Sequence, residues 1–254
     1  MEVDKVYIIH LPYRVDRKNS ILHELRRMKI AHYEFFDAIE IKSRQELHRI
    51  NPTFLEQRPW WLKGEEEAYF QQYRLGALGC LLSHLGVMQK ALKAGYRRIL
   101  ILEDDAQFAA DQGSWKLMCD AYRAQYAGPD PPYDILYLGG MHLKTKLRRR
   151  SQNIYQTKNS GGGHAYIIGT EMMKYIVKNA LAFGKEIDMF YIERVQPRGK
   201  CSCILPPPVY QAEGFSDICQ EKRAYDKSGV YGPDNVLKAM GTPKRNSRTP
   251  LPTY

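Results

Sequence analysis

Three consecutive carboxylates, Glu103-Asp104-Asp105, are the residues whose type and spacing speak most directly of chemistry. They follow an unbroken apolar run, Ile99-Leu-Ile-Leu102, which reads as a buried strand. Sheets of the α/β class place ligand sites at the carboxyl ends of their strands. Adjacent like charges repel, so a cation or hydrogen-bond donors must hold such a triplet ionised. Hard divalent cations take carboxylate oxygens and complete their shells with phosphate and water. That suits the departure of a diphosphate, whose developing charge a metal neutralises. A solvated acidic turn is the alternative, and a short motif by itself does not decide between them.

Arg14 and Arg17, with Lys18 beside them, bracket the start of a helical pattern that follows the first apolar run. Guanidinium pairs bidentately with phosphate, and a helix N-terminus adds its own positive end. A surface ion pair is the competing fate of each arginine. Both features call for the same support, a sheet that brings the ends of two strands together.

Residues 5–10 read as the first strand and 11–14 as a Pro-containing loop. Asp16 is placed to cap a helix carrying Ile21, Leu22, Leu25 and Met28 at helical spacing, and 33–39 reads as a second strand. A β-loop-α-β opening predicts an α/β layered fold. Residues 43–73 are less regular, holding Trp60-Trp61 and the acidic Glu65-Glu66-Glu67. The tryptophans suit either sugar stacking at an acceptor site or core filling. A helix over 74–95 has one stripe of Leu78, Leu82, Leu85 and Leu92, and a second face of Gly76, Gly79, Cys80, Ser83 and Gly86 or Val87. Glycine costs about 1 kcal/mol in a helix, so its spacing there implies a close approach to the backbone. Gly95 ends that helix. Beyond the triplet, a helix is expected over 114–125, a strand over 133–138 closed by Gly139-Gly140, and a loop or hairpin over the basic run 144–150. Gly161-Gly162-Gly163 leads into a strand over 164–168, and a helix follows over 170–182. One domain over residues 1–240 and an irregular tail over 241–254 are expected.

Hydrophobic residues make up 44% of the 254 and charged residues 26%, which supports a packed core rather than disorder. The net charge of +10 favours anionic partners: nucleotide phosphates, anionic lipid or nucleic acid. The basic run lacks interleaved aromatics, so nucleic acid is not expected, and a peripheral seat on an anionic membrane is. No apolar stretch approaches the roughly 20 residues of a membrane span, and the start lacks a signal-peptide pattern. Five cysteines without a CxxC pair point to a reducing, cytoplasmic compartment.

Several segments, in order, resemble glycosyltransferase family 25, which includes bacterial lipooligosaccharide galactosyltransferases and collagen hydroxylysine galactosyltransferases. They are Val6-Tyr-Ile-Ile-His-Leu-Pro-Tyr-Arg-Val-Asp-Arg17, Gly76-Ala-Leu-Gly-Cys-Leu-Leu-Ser-His84, Ile99-Leu-Ile-Leu-Glu-Asp-Asp105, Tyr133-Asp-Ile-Leu-Tyr-Leu-Gly139, Gly163-His-Ala-Tyr-Ile-Ile168, and Gln211 with Ser216-Asp217-Ile218. The resemblance implies a GT-A fold, with a Rossmann-like mixed sheet flanked by helices. It further implies a UDP-sugar donor, Mn²⁺ (or Mg²⁺), and inversion at the anomeric carbon. Carried over, Arg14, Asp16 and Arg17 hold the nucleotide, with Ser83 and Gln211 beside the donor. Asp105 is then the direct metal ligand, with Glu103 and Asp104 on ribose or metal-bound water. Inversion needs a general base on the acceptor side. Asp188 is the candidate, with an N-cap as its competing role; Asp217 is the runner-up, as base or further ligand. His84 is either a donor contact or a satisfied buried histidine. The implied transfer is of a hexose, galactose or glucose, to a glycan, a lipid-linked glycan or hydroxylysine. The competing class is a non-catalytic carbohydrate- or partner-binding protein on the same fold. Two positions depart from the pattern: His10 stands where asparagine is common, and Glu186 where proline is.

Overall fold

Strands β1 (Lys5–His10), β2 (Tyr33–Asp37) and β3 (Arg98–Glu103) pair in parallel in the order β2-β1-β3, with helix α1 (Val15–Arg27) crossing between β1 and β2. The computed structural model describes residues 3–109, 113, 115–116, 119, 134–150, 153–225 and 230–231. The tail over 241–254 lies outside the described residues, as does most of the helix expected over 114–125.

Past β3 the sheet turns mixed. β4 (Ala106–Phe108) leaves it, while β5 (Ile135–Leu143), β6 (Leu147–Arg149), β7 (Ile154–Thr157), β8 (Ser160–Gly169) and β9 (Cys201–Ile204) complete the order β2-β1-β3-β8-β5-β9-β7-β6. β8 runs antiparallel to both β3 and β5. β10 (Val209–Gln211) pairs with β4, β11 (Gly214–Ser216) pairs with β12 (Glu221–Arg223), and β13 (Val230–Tyr231) joins β5. The basic run forms a short 3-10 turn, Lys144–Lys146, and the β6 arm of a hairpin with β7.

The central strands are buried on both faces, which explains why they read as continuous apolar runs rather than alternating ones. Val6, Ile8, Leu100 and Leu102 pack toward Ile21 and Leu25 of α1. Tyr7, Ile9, Ile99 and Ile101 face the opposite layer, which α3 (Glu67–Lys93) and α4 (Thr170–Phe183) cover. This is the helix-flanked mixed α/β sheet that the sequence predicts.

Helix α3 is long and apolar enough, by length and composition, to cross a membrane, contrary to the expectation that no stretch would be. Its apolar residues pack on the sheet instead, as a core helix. Its small face also has a structural cause. A Cβ at Gly79 would collide with the Ile39 carbonyl oxygen, at Gly76 it would come 2.9 Å from the Ile218 Cα, and at Gly86 2.5 Å from the Phe36 ring. Two loops and a ring therefore lie against the bare backbone.

Four local expectations are corrected. α1 is capped at Arg14 with no side-chain cap bond, and Asp16 sits in the first turn instead. Residues 43–73 contain α2 (Arg44–Ile50), where Ser43 Oγ accepts from the Glu46 N–H and Glu46 Oε2 accepts from the Lys42 N–H. α3 begins at Glu67 rather than 74, with its acidic start suiting the positive helix end. β5 runs on through Gly139-Gly140 with register shifts, and His164 and the Val209 carbonyl occupy the space a side chain at Gly139 would need.

Candidate functional site

Because β1 and β3 are parallel with Ile9 opposite Glu103, their carboxyl ends open at the same edge of the sheet. Asp104 turns inward there. Its Oδ2 accepts from His10 Nδ1 at 2.8 Å and its Oδ1 from Arg17 Nη1 at 2.9 Å, and the carboxylate is 6% exposed. Arg17 Nη1 also lies 3.2 Å from Asp105 Oδ2, and Nη2 donates to the Phe215 carbonyl at 2.6 Å. Arg14 donates through Nε and Nη2 to both oxygens of Asp16, at 3.0 and 2.8 Å, and its Nη1 pairs with Asp217. Two guanidinium groups thus tie the first turn of α1 to the triplet and to the segment carrying β11. Such charge-assisted bonds in a partly buried site are the strong kind.

Asp105 is held differently from its neighbour. Its Oδ2 accepts from Gln211 Nε2 at 3.1 Å, and the Ala212 N–H donates to its carbonyl at 2.8 Å. Its Oδ1 is buried with no hydrogen-bond partner among the described residues. Burial, then the Glu103 carboxylate, push the Asp105 carboxyl up to about 7, against the pull of Arg17 and Gln211. Burial works to raise Glu103 as well, but the His84 hydrogen bond and charge outweigh it and hold Glu103 below its ordinary value. That bond is 3.3 Å from His84 Nε2, while His84 Nδ1 pairs with the Tyr166 hydroxyl at 2.8 Å, and Tyr166 pairs with Tyr191 at 2.9 Å.

Asp188 reaches the glycine run of β8 from the segment that follows α4. Its Oδ2 accepts from the Gly162 N–H at 3.2 Å and its Oδ1 from the Met189 N–H at 2.8 Å. It lies inside the short helix α5 (Ile187–Phe190), whose N-cap is Glu186, so the capping role does not fall to Asp188. Burial raises its carboxyl above the ordinary value, against those two N–H groups. Glu186, bonded at 3.0 Å by the Tyr73 hydroxyl, is pushed up to about 7 by burial and by Asp188.

The glycine run explains how these groups come to face one space. A Cβ at Gly161 would sit 3.5 Å from Asp188 Oδ2, and one at Gly163 would sit 3.4 Å from both Glu103 Oε1 and His84 Nε2. Asp188 and Glu103 each lie against a glycine of the same short, irregular stretch of β8, with Gly162 at φ +84° between those two glycines.

Arg14, Asp16, Arg17, Glu103, Asp104, Asp105, Gln211 and Asp217 are thus gathered at one sheet edge. Ser83 is engaged within the fold: its hydroxyl donates to the Gly79 carbonyl at 2.7 Å and accepts from the Ile39 N–H at 2.8 Å. Trp60 is 58% exposed and edge-on to the half-buried Trp61, so the core-filling reading does not hold for it.

Residues 3–191, well over half of the chain, match the family described as Glycosyltransferase family 25 (LPS biosynthesis protein). The chain belongs to glycosyltransferase family 25. A Glycosyltransferase 25 family member of Drosophila melanogaster is 24% identical over 166 residues, covering 63% of this chain and 25% of the relative. Procollagen galactosyltransferase 2 of Mus musculus is 26% identical over 195 residues, covering 73% and 29%. A Bos taurus relative named probable inactive glycosyltransferase 25 family member 3 is 26% identical over 141 residues, covering 55% and 22%. The chain spans no more than 29% of the length of these three relatives. Among solved structures, a glycosyltransferase involved in the glycosylation of the major capsid of PBCV-1 shares 12% identity at a TM-score of 0.39, covering 84% of this chain and 94% of that one.

In this family 25 chain the residues present fit a hard divalent cation. Asp105 offers a buried carboxylate oxygen with no donor among the described residues, and oxygen ligands are what such ions select. Some of the site was not foreseen from sequence. His10 stands out in the sequence only as a departure from the family pattern, yet it holds Asp104. Tyr166 and Tyr191, which orient His84, come from separate elements and carry no spacing signal. The glycine run was visible, but not that its bare face lies between two carboxylates.

Proposed function

We propose that this chain is an inverting, metal-dependent glycosyltransferase that moves a hexose, galactose or glucose, from a UDP-sugar to a hydroxyl. The acceptor is a glycan, a lipid-linked glycan or hydroxylysine. The observation that carries the reading is the buried Asp105 Oδ1, without a partner among the described residues, at the carboxyl end of β3 beside Arg17. When bound there, Mn²⁺ or Mg²⁺ supplies positive charge against the diphosphate as it leaves. Arg14 and Arg17 meet phosphate oxygens, exchanging carboxylate partners for them, and Asp104 holds Arg17 in place. Gln211 orients Asp105, while Glu103, Asp16 and Asp217 line the donor. Asp188 takes the proton from the acceptor hydroxyl as that oxygen bonds the anomeric carbon. The bond from this carbon to the phosphate oxygen breaks, with its electron pair leaving on the diphosphate. A carboxyl raised by burial is a stronger base than a solvated one, which suits that role.

Turnover of a panel of UDP-sugars with Mn²⁺ or Mg²⁺ is the test; release of UDP from at least one is expected, and silence across the panel would overturn the reading. The relatives that are named inactive favour a second reading, a non-catalytic binding protein on this fold. Retention of the triplet and both arginines argues for catalysis. We further place the protein in the cytoplasm, at an anionic membrane surface met by the exposed Lys144, Lys146 and Arg148, at about 1 kcal/mol per basic residue. Co-sedimentation with vesicles that is indifferent to anionic lipid would refute that placement.

A further inference from the structure

A second set of ligand atoms lies beside the Asp105 site and differs from it in chemistry. One ligand atom each from Cys80, His84 and Glu103 falls within 4.8 Å of the other two. Cys80 and His84 are four residues apart on α3, the spacing that puts two side chains on one helix face. Glu103 reaches them from the end of β3, its Oε1 3.3 Å from His84 Nε2. The imidazole is fully buried and already oriented: its Nδ1 is taken by the Tyr166 hydroxyl, which is itself fixed by Tyr191. A ligating histidine held through its other ring nitrogen is the usual arrangement around a metal. Across from the cluster stands Gly163, where a Cβ would touch both Glu103 Oε1 and His84 Nε2 at 3.4 Å.

We propose that Cys80, His84 and Glu103 form a second cation site, one for zinc or a similarly borderline metal. Sulfur, imidazole nitrogen and one carboxylate oxygen are the donor set zinc takes, whereas Mn²⁺ and Mg²⁺ prefer oxygen alone. Zinc bonds of about 2.0 to 2.3 Å place tetrahedral ligand atoms roughly 3.5 Å apart. The cluster therefore needs to contract by on the order of 1 Å. Three protein ligands leave the fourth position to water or substrate. The Cys80 sulfur gives up its proton as it bonds the metal. On the transferase reading given above, zinc here draws Glu103 away from the donor, so the site is inhibitory. The binding claim does not depend on that reading.

Cobalt(II) is the probe, titrated into the 254-residue chain under reducing conditions. The expected result is a thiolate-to-cobalt charge-transfer band that saturates at one equivalent and is bleached by zinc. A cobalt ion held by oxygens at Asp105 gives no such band, so the two sites are distinguished by spectrum. Cys80→Ser should abolish the band and weaken zinc binding at least tenfold in competition with a chromogenic chelator. Cys219→Ser and Asp105→Asn should keep the band. Glu103→Gln, which leaves sulfur and imidazole in place, should keep the band and lose zinc affinity. No sulfur band in the wild type, or a band that survives Cys80→Ser, would overturn the site. Zinc affinity unchanged in Glu103→Gln would overturn the assignment of the third ligand. These readouts are spectroscopic, so they stand whether or not any sugar is transferred.

Discussion

Asp105→Asn should make the metal-free protein relatively more stable at pH 8 than at pH 5, although the residue is a ligand candidate. In the fold its carboxyl is raised to about 7 by burial and Glu103, while an unfolded aspartate titrates near 3.9, about the model-peptide value. A carboxyl raised in this way contributes stability that is fully present below about pH 4 and is lost as pH rises through about 7. Between pH 5 and 7 the folded chain holds a proton that the unfolded chain has released. Each pH unit in that window removes about 1.4 kcal/mol, so the wild type loses about 2–3 kcal/mol that the asparagine variant keeps. The new amide brings a cost of its own, about 1–3 kcal/mol for a buried donor without a partner at the former Oδ1 position. That cost is the same at both pH values and cancels in the comparison. Urea unfolding of both proteins at pH 5 and pH 8 in excess chelator measures the double difference. Replacing the chelator with Mn²⁺ should close the gap, because a cation that binds only the folded carboxylate restores wild-type stability. Parallel stability changes in the two proteins would refute the buried Asp105 carboxyl on which the site rests.

Gly79→Ala separates helix propensity from packing. Propensity alone predicts a gain of about 1 kcal/mol, but the added methyl meets the Ile39 carbonyl oxygen. A net loss of about 1–3 kcal/mol is expected in a denaturant melt, and a gain would mean that the 39–40 loop does not lie on the helix. Asp188→Asn removes the base and leaves an acceptor oxygen for only one of the two backbone N–H groups, those of Gly162 and Met189, that the carboxylate accepts. Transfer should fall by about 10²-fold or more while UDP affinity stays within twofold. Wild-type transfer would exclude Asp188 and shift attention to Asp217.

Much of the scaffold is legible from residues alone, where local pattern and burial agree. β1 and β3 are apolar on both faces because helices cover both sides of the sheet, and their ends carry the arginines and the triplet to one edge. Gly95 takes φ +75° just past the α3 C-cap, as its position predicts. The glycines of α3 also mark close approaches, although their partners near Ile39, Phe36 and Ile218 come from distant parts of the chain. Other features carried a signal that periodicity alone passes over. Ser43 with Glu46 three residues later is a helix-start pattern, and it does start α2. The relation of Asp188 to Glu103 is of another kind. It depends on β8 running antiparallel beside β3 with its glycines between the two carboxylates, a pairing that no local spacing encodes. The same holds for the His84–Tyr166–Tyr191 chain, whose members come from α3, β8 and the turn after α5.

The central claim is that Asp105 holds a cation that carries a uridine diphosphate against Arg14 and Arg17. Calorimetric titration of UDP into the wild type and Asp105→Asn, each with Mn²⁺ and with chelator, tests it most directly. Binding to the wild type should strengthen at least tenfold with Mn²⁺, with no such metal effect in the variant. Equal UDP affinity in all four titrations, or a metal effect that survives Asp105→Asn, would contradict it.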